Sequence, residues 1–176
     1  MAQEGVTVMP ENDSASLAQR LAEWDDRQAI TDLLYRHAEH IRSGTIHLAH
    51  DLFMPDATFD LSHFDPERPG HLILLDRTAG GAQITEAKDA FAGSAARLWP
   101  MIHNVRVELD GDRAKSVCVS HTVIWPHGKD FVGEYRDSLK RDGGVWRFAA
   151  RNFILFGDTD GKFATQSHEE YLAMRR

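Results

Sequence analysis

The sequence predicts an α+β fold, in which helices of the first half pack against an antiparallel sheet formed by the second half. Residues 26–44, DRQAITDLLYRHAEHIRSG, carry apolar side chains at helical spacing, so these side chains share one face. From residue 101 onwards the apolar pattern changes to a two-residue alternation, which is typical of half-buried strands. Helices followed by consecutive hairpins define the α+β class. The connectors between the strand-like segments have hairpin-turn composition: DGD, PHGK and RDGG.

The elements follow one another without a second domain. Polar, aperiodic residues 1–14 predict a disordered lead-in, and residues 15–176 a single domain. Ser14 or Ser16 is the expected cap of a first helix, and Gly44 the expected end of the main one. Short helices are predicted over 45–54, where Pro55 ends the pattern, and over 85–99. Strands are predicted over 57–62, 71–75, 101–110, 113–125, 130–140 and 145–156.

Composition excludes several functional classes. The 176 residues carry a formal net charge of −7 without a basic stripe, which argues against a nucleic-acid or anionic-membrane partner. Cys118 is the single cysteine, so an internal disulfide is impossible. The N-terminus has no basic and apolar signal pattern, and no apolar run is long enough to span a membrane. We therefore expect a cytoplasmic protein.

Strand alternation suggests a pocket on one face of the sheet. His103 shares its strand face with apolar Val105 and Val107. If Leu109 faces Ala114 across the first hairpin, His103 lies opposite Ser120. The next hairpins are aligned by Ile124 opposite Phe131 and by Leu139 opposite Trp146, and a slip of one residue would reverse a face. Six polar residues then share an apolar face, as in small-molecule sites: His103, Ser120, Thr122, Tyr135, Asp137 and Asn152.

Two interpretations of these residues stay open. The imidazole and hydroxyls either line a cavity or satisfy one another inside an ordinary core. The other face of the second long strand is also apolar, and a second copy of the chain is its expected cover. We therefore predict a homodimer or homotrimer that buries Val119, Val123 and Trp125.

Four segments resemble the SnoaL-like branch of the nuclear transport factor 2-like superfamily. They are LLYRHAEHIRSG, LFMPDATFD, HNVRVELDGDRA and GEYRDSLKRDGGVWRFAAR, and the resemblance runs from about Asp26 to Phe156. It implies a cone-shaped α+β barrel, with a curved, mostly antiparallel sheet wrapped around N-terminal helices and a deep pocket inside. It also implies cofactor-free proton transfer on hydrophobic cyclic substrates, as in the dehydratases, polyketide cyclases and ketosteroid isomerases of the superfamily.

The sequence departs from that family at its usual catalytic dyad. Many dehydratase members carry a tyrosine on the first long helix and an aspartate five residues later, and these positions are His37 and Arg42 here. The family histidine lies four residues before Asn104, where this chain has Pro100. His103 lies three residues further on, so the familiar dyad is not present in its usual form.

The residues suggest the following roles. His103 is the first candidate for a general acid or base, and His37 is the second, with a purely structural histidine as the alternative for His37. Arg42 is a candidate for binding an oxyanion or a substrate carboxylate, or else an ordinary surface arginine. Tyr135 and Asn152 are candidate donors to a developing oxyanion. Substrate contacts are expected from Asp60, which has a turn or cap role as its alternative, and from Ser120, Asp137 and Asn152.

No cofactor motif accompanies these residues. The histidine pairs His37/His40 and His47/His50 lack the cysteine pair or HExxH pattern of a metal site, and no GxGxxG is present. We therefore expect neither a metal nor a nucleotide cofactor. The sequence favours a cofactor-independent lyase or isomerase that eliminates water or a small fragment such as formaldehyde from a hydrophobic cyclic or aromatic molecule. The alternative is a non-catalytic small-molecule-binding or assembly module of the same fold.

Overall fold

A computed structural model describes residues 11–60, 72–74, 97–126 and 128–158. Helix α1 spans Glu11–Ser43 and is followed by a 3₁₀ helix, Ile46–Leu52. Within the described ranges six strands form one sheet. They are β1 (Phe53–Asp60), β2 (Leu72–Leu74), β3 (Arg97–Asp110), β4 (Arg113–Trp125), β5 (Lys129–Asp142) and β6 (Val145–Asp158).

Helix α1 is one continuous element of 33 residues. It begins inside the segment predicted as a lead-in, so Ser14 and Ser16 lie within the helix and do not cap it. Its C-terminus matches the prediction, because Gly44 has a φ of +70°. The Gly44 amide donates to Ile41 and the Thr45 amide to His40, the pair of bonds that closes a helix through a left-handed residue.

The segment after α1 differs from its predicted form. The short helix is 3₁₀ rather than α and ends at Leu52. Pro55 does not end that helix but lies inside β1, where the pairing with β6 shifts register between Phe53 and Thr58. A proline is tolerated in an inner strand at such an irregularity, because its missing N–H leaves no ladder bond broken.

The sheet has the order β2-β1-β6-β5-β4-β3. The meander β3–β4–β5–β6 is antiparallel throughout, as predicted, and β1 joins it by pairing in parallel with β6. Of the helix predicted over 85–99, residues 97–99 are strand, and the remainder lies outside the described residues. The sheet is therefore mostly antiparallel and curved around α1, as expected. No helix in the described part of the chain is long and apolar enough to cross a membrane.

The register of the sheet differs from the predicted one at each hairpin. Leu109 faces Ala114 as expected, but a bulge follows, and Ile102 rather than His103 lies opposite Ser120. In the pairing of β4 with β5, Thr122 rather than Ile124 faces Phe131, so the register is shifted by two residues from the predicted one. A shift of two residues leaves every side chain on its predicted face of the sheet. Strands β5 and β6 contain two further bulges, with Leu139 opposite Phe148.

One face of α1 packs on the concave face of the sheet, which we call the inner face. Ile30, Leu34 and His37 of α1 are at most 1% exposed. The helix is also fixed near Asp26, whose carboxylate accepts hydrogen bonds from Arg141 and from the indole of Trp146. The inner face supplies most of the buried core: Phe53, Ala57, Ala114, Cys118, Phe131, Tyr135, Leu139, Trp146, Phe148, Phe153 and Leu155.

Candidate functional site

A polar cluster lies inside the core, between α1 and the inner face of the sheet. The cross-strand pairs Ser116↔Asp137 and Asp137↔Arg151 align three of its members across β4, β5 and β6. His37 approaches from α1. Each member is buried, although polar and charged groups are normally excluded from such a position unless they are paired. We call this group the inner cluster: His37, Ser116, Cys118, Tyr135, Asp137 and Arg151.

Arg151 carries the fixed positive charge of the inner cluster. Its guanidinium carbon lies 3.8 Å from the ring centroid of Tyr135 and 4.4 Å from that of Phe148. Its Nε lies 3.5 Å from Oδ1 of Asp137. This is an ion-pair contact without a hydrogen bond, and none of the three guanidinium nitrogens has a hydrogen-bond partner among the described residues.

One hydrogen bond stabilises the ionised carboxylate of Asp137, whereas its burial destabilises that charge. The Ser116 hydroxyl donates to its Oδ2 at 3.0 Å, whereas Oδ1 accepts no bond within the described part of the chain. Desolvation raises the pKa of Asp137 to about 6, although Arg151 and the Ser116 hydroxyl act in the opposite direction. Desolvation also raises the pKa of Tyr135 to about 12 and that of Cys118 to about 12, so both are neutral near pH 7.

His37 is enclosed by aromatic rings. Its imidazole lies edge-on to Phe53, Phe59, Tyr135 and Phe148, at centroid distances of 5.7, 5.7, 6.1 and 5.9 Å. Burial lowers the pKa of His37 well below its usual value, with Arg151 and His40 acting in the same direction. The imidazole is therefore neutral at pH 7. Its Nε2 has no hydrogen-bond partner in the ranges described.

The arrangement combines a neutral base with a fixed cation in an apolar enclosure. His37 and Arg151 contact the same two rings, those of Tyr135 and Phe148. A neutral imidazole accepts a proton, and a nearby guanidinium stabilises the negative charge that proton removal creates. The stabilisation by the guanidinium is stronger where water is excluded, because the local dielectric is low. The inner cluster is therefore suited to proton transfer at a carbon next to an oxygen function.

His103 is placed outside this cluster, which corrects the prediction that it lies on the inner face. Asn104 has a φ of +52°, and the β3–β4 pairing shifts there from Arg106↔Val117 to His103↔Val119. One extra residue on β3 reverses the alternation of side chains beyond it. His103 is consequently exposed on the outer face of the sheet, opposite Val119 instead of Ser120.

Three other predicted site residues also lie outside the inner cluster. Arg42 is exposed, pairs with Glu39 at 2.6 Å and lies over the ring of Trp99, so it is a surface arginine in this structure. Asn152 faces outwards, because a bulge in the β5–β6 pairing brings Arg151 to the inner face in its place. Asp60 pairs with Asn152 across β1 and β6, and its side chain lies on the face opposite Phe59.

Three predicted residues belong to the inner cluster, His37 among them, and a fourth lies nearby on the same face. Tyr135 and Asp137 are buried there as expected. Ser120 is fully buried on the inner face, where its hydroxyl lies 3.2 Å from that of Thr122. Among the described residues, no group of three or more histidine, cysteine, aspartate or glutamate side chains is placed to hold a metal ion.

Arg151 is the main residue that the sequence analysis missed. Simple alternation from Phe148 assigns residues 150, 152 and 154 to the inner face. The available signal was the odd spacing of Phe148 and Phe153, two large aromatic residues of one strand. They can share a face only if the strand contains a bulge, and such a bulge brings Arg151 inwards. Apolar Ile154 fits the simple alternation from Phe148 and therefore obscured that signal, although it is buried on the other face of the sheet.

A curved, mostly antiparallel sheet around a long helix, with a polar cluster enclosed between them, defines a protein of the nuclear transport factor 2-like class. The chain belongs to the SnoaL-like domain family, whose model matches residues 22–152. A search of curated proteins found no match.

Solved structures agree with this assignment. A nuclear transport factor 2-like protein with a cystatin-like fold from Novosphingobium aromaticivorans is 21% identical, with a TM-score of 0.68 over 93% of this chain and 97% of that one. A Mycobacterium tuberculosis protein of unknown function is 23% identical, with a TM-score of 0.62 over 81% and 83%. A type 2 hexachlorocyclohexane dehydrochlorinase is 14% identical, with a TM-score of 0.61 over 80% and 91%. At these identities the similarity establishes the fold alone.

Proposed function

We propose that the protein is a cofactor-independent lyase or isomerase that transfers a proton on a hydrophobic cyclic or aromatic molecule. His37 is the proposed base. The single observation that carries this proposal is its buried imidazole, whose Nε2 lacks a hydrogen-bond partner in the described part of the chain. In the tautomer that carries its proton on Nδ1, this Nε2 has a free lone pair that can take a proton from carbon.

Arg151 takes the role that the sequence analysis gave to Arg42. Its guanidinium lies over Tyr135 and Phe148, the rings that His37 also contacts. The proposed base and the group that stabilises negative charge therefore lie next to the same two rings. Removing a proton from carbon leaves an electron pair that moves to form a double bond. In a lyase that pair expels a leaving group such as hydroxide, which takes up a proton and is released as water. Loss of formaldehyde starts instead from the O–H of a hydroxymethyl group: the base takes that proton, C=O forms, and the electrons of the broken C–C bond form the double bond that expels the hydroxide. In an isomerase the proton returns at another carbon.

The relatives fit this reaction class. One structure of similar fold is a hexachlorocyclohexane dehydrochlorinase, and another, from Novosphingobium aromaticivorans, is a scytalone dehydratase-like protein. Elimination is the reaction named for each. This similarity favours elimination for the present chain without indicating its substrate.

A proton-abstraction probe tests the role of His37. The base-catalysed ring opening of 5-nitrobenzisoxazole needs only a positioned base, and its phenolate product is coloured. We expect the wild-type protein to accelerate this reaction and His37→Gln to lower kcat/KM by about 10²–10⁴-fold, the usual contribution of a general base. His40→Gln is the matched control, because half-buried His40 lies on the same helix and its Nδ1 contacts the hydroxyl of Thr45, outside the inner cluster. Equal rates for wild type and His37→Gln would refute the proposal.

The second candidate is a non-catalytic binding module, and the packing around His37 favours it. Four aromatic rings lie within 5.7–6.1 Å of the imidazole centroid, so side chains occupy much of the space beside it. A module of this kind would bind an apolar molecule without turning it over. It predicts no acceleration of the ring opening by the wild-type protein and equal ligand affinity for His37→Gln and wild type.

A further inference from the structure

Arg151 has a binding capacity that the described part of the chain does not use. Its side chain is 1% exposed, and Nε, Nη1 and Nη2 lack hydrogen-bond partners among the residues described. We infer that the inner cluster binds a carboxylate carried on a flat apolar skeleton, with both carboxylate oxygens accepting from the edge of Arg151. This inference deepens the proposed function, on whose site it rests, by naming the chemical class of the substrate.

The energy balance of Arg151 supports an external acceptor. Burying an unpaired ion costs folding free energy even after relaxation of the protein. Contact with aromatic faces stabilises a desolvated cation but satisfies none of its N–H groups. Asp137 gives charge compensation across 3.5 Å but no hydrogen bond to Nε. Within the described part of the chain the N–H groups of Arg151 therefore still lack an acceptor, which a bound ligand would provide.

The geometry selects a planar anion. The rings of Tyr135 and Phe148 lie against the guanidinium at 3.8 and 4.4 Å from its central carbon, so a ligand must approach along the edge where the N–H groups point. A guanidinium edge matches the two oxygens of a carboxylate in one plane. Phe53, Phe59 and Phe148 provide apolar surface close by for a flat skeleton.

Charge in the inner cluster makes the binding depend on pH. The groups that face Asp137 are Arg151 from β6, Ser116 and Cys118 from β4, Tyr135 from β5 and, beyond Arg151, His37 from α1. Of these, Arg151 alone is charged near pH 7. An incoming carboxylate competes with ionised Asp137 for the same cation. Its affinity should therefore rise as pH falls through about 6, where Asp137 takes up a proton.

Calorimetric titration with matched probes tests this inference. Benzoate, 2-naphthoate and cyclohexanecarboxylate are compared with their neutral amides at pH 5.5 and pH 7.5. We expect at least one acid to bind the wild-type protein 10-fold or more tightly than its amide, with proton uptake at pH 7.5. Arg151→Met should abolish that preference. Arg151→Lys keeps the positive charge but loses the planar set of N–H donors, so it should retain part of the preference for the acid. Arg106→Met is the matched control, because Arg106 is exposed on the outer face of β3.

The outcomes separate this inference from the proposed function. Equal binding of all acids and amides by the wild-type protein, or an acid preference that persists in folded Arg151→Met, would overturn the inference. If Arg151→Met fails to fold, an unchanged acid preference in Arg151→Gln has the same meaning. His37→Gln should keep the acid preference whatever its effect on proton transfer. Failure of His37 as a base therefore leaves the carboxylate inference standing.

Discussion

Arg151 and Asp137 form a fully buried ion pair that lacks a hydrogen bond, with Nε 3.5 Å from Oδ1. Ser116 binds the other oxygen of the carboxylate, at 3.0 Å. The pair therefore compensates charge in the core while leaving donors of Arg151 and one oxygen of Asp137 unused by the described residues. An incompletely bonded pair of this kind costs folding free energy, and this cost is expected where a site is shaped for a ligand.

The first prediction concerns the stability of the Asp137→Asn variant. Because the folded protein raises the pKa of Asp137 to about 6, the stabilising effect of its protonated form is complete below pH 4 and is lost as pH rises through 6. A shift of about two units corresponds to about 3 kcal/mol. We therefore expect wild-type stability relative to Asp137→Asn to fall by about 3 kcal/mol between pH 4 and pH 7, measured by urea unfolding.

The comparison with the variant removes the contribution of His37. The lowered pKa of His37 gives stability that is complete above about pH 6.5 and is lost on acidification, in wild type and variant alike. The difference between the two proteins thus reports Asp137 alone. A stability difference that stays constant from pH 4 to pH 7 would show that Asp137 titrates as it does in the unfolded chain.

The second prediction concerns the β3 bulge. Asn104 has a φ of +52°, a conformation that glycine and asparagine tolerate and β-branched residues do not. We expect Asn104→Gly to change the free energy of unfolding by less than about 0.5 kcal/mol, and Asn104→Val to lower it by about 1–3 kcal/mol. His103→Ala is the neighbouring control, with no expected effect on stability or on the benzisoxazole reaction. A destabilised or inactive His103→Ala would contradict the outward placement of His103.

The third prediction concerns the close approach of β5 and β6 at Gly133. A methyl group there would lie 2.5 Å from the carbonyl oxygen of Ile154 and would also overlap the ring of Phe153. The backbone cannot move aside cheaply, so Gly133→Ala should destabilise the protein by about 1–3 kcal/mol or more. Gly157→Ala on the same pair of strands meets nothing within 4 Å and is the matched control. Equal melting temperatures for the two variants would contradict this packing.

The fourth prediction concerns self-association through the outer face of the sheet. Trp99, Met101, Trp125 and Val132 are 37–59% exposed there, and we call them the outer patch. Apolar side chains at this density favour burial against another surface, and we propose a second copy of the chain in a homodimer or homotrimer. Light scattering at 20 μM should give a multiple of the chain mass for the wild-type protein.

Substitutions in the outer patch complete that test. The double variant Met101→Glu, Trp125→Glu should be monomeric, because it introduces two buried charges on each side of the expected interface. Val145→Glu, an exposed apolar residue at the β5–β6 turn, is the control and should retain the wild-type mass. A monomeric wild-type protein at this concentration would rule out the proposed assembly.

The sequence by itself determined the class of fold and most of the elements. The end of α1 at Gly44 and the order of the last four strands follow from helical spacing, two-residue alternation and turn composition. These are local properties of the chain, so they can be read without knowing what each element packs against. The family resemblance likewise follows from segments in a fixed order, and the family model confirms it.

The tertiary structure alone decided which polar groups meet. The bulge at Asn104 turned His103 outwards, and the bulge between β5 and β6 exchanged Asn152 for Arg151 on the inner face. One inserted residue reverses every side chain beyond it, because the side-chain period of a strand is two residues. Bulges depend on how neighbouring strands twist and pack. The choice between His103 and Arg151 as a site residue was therefore set by the sheet as a whole.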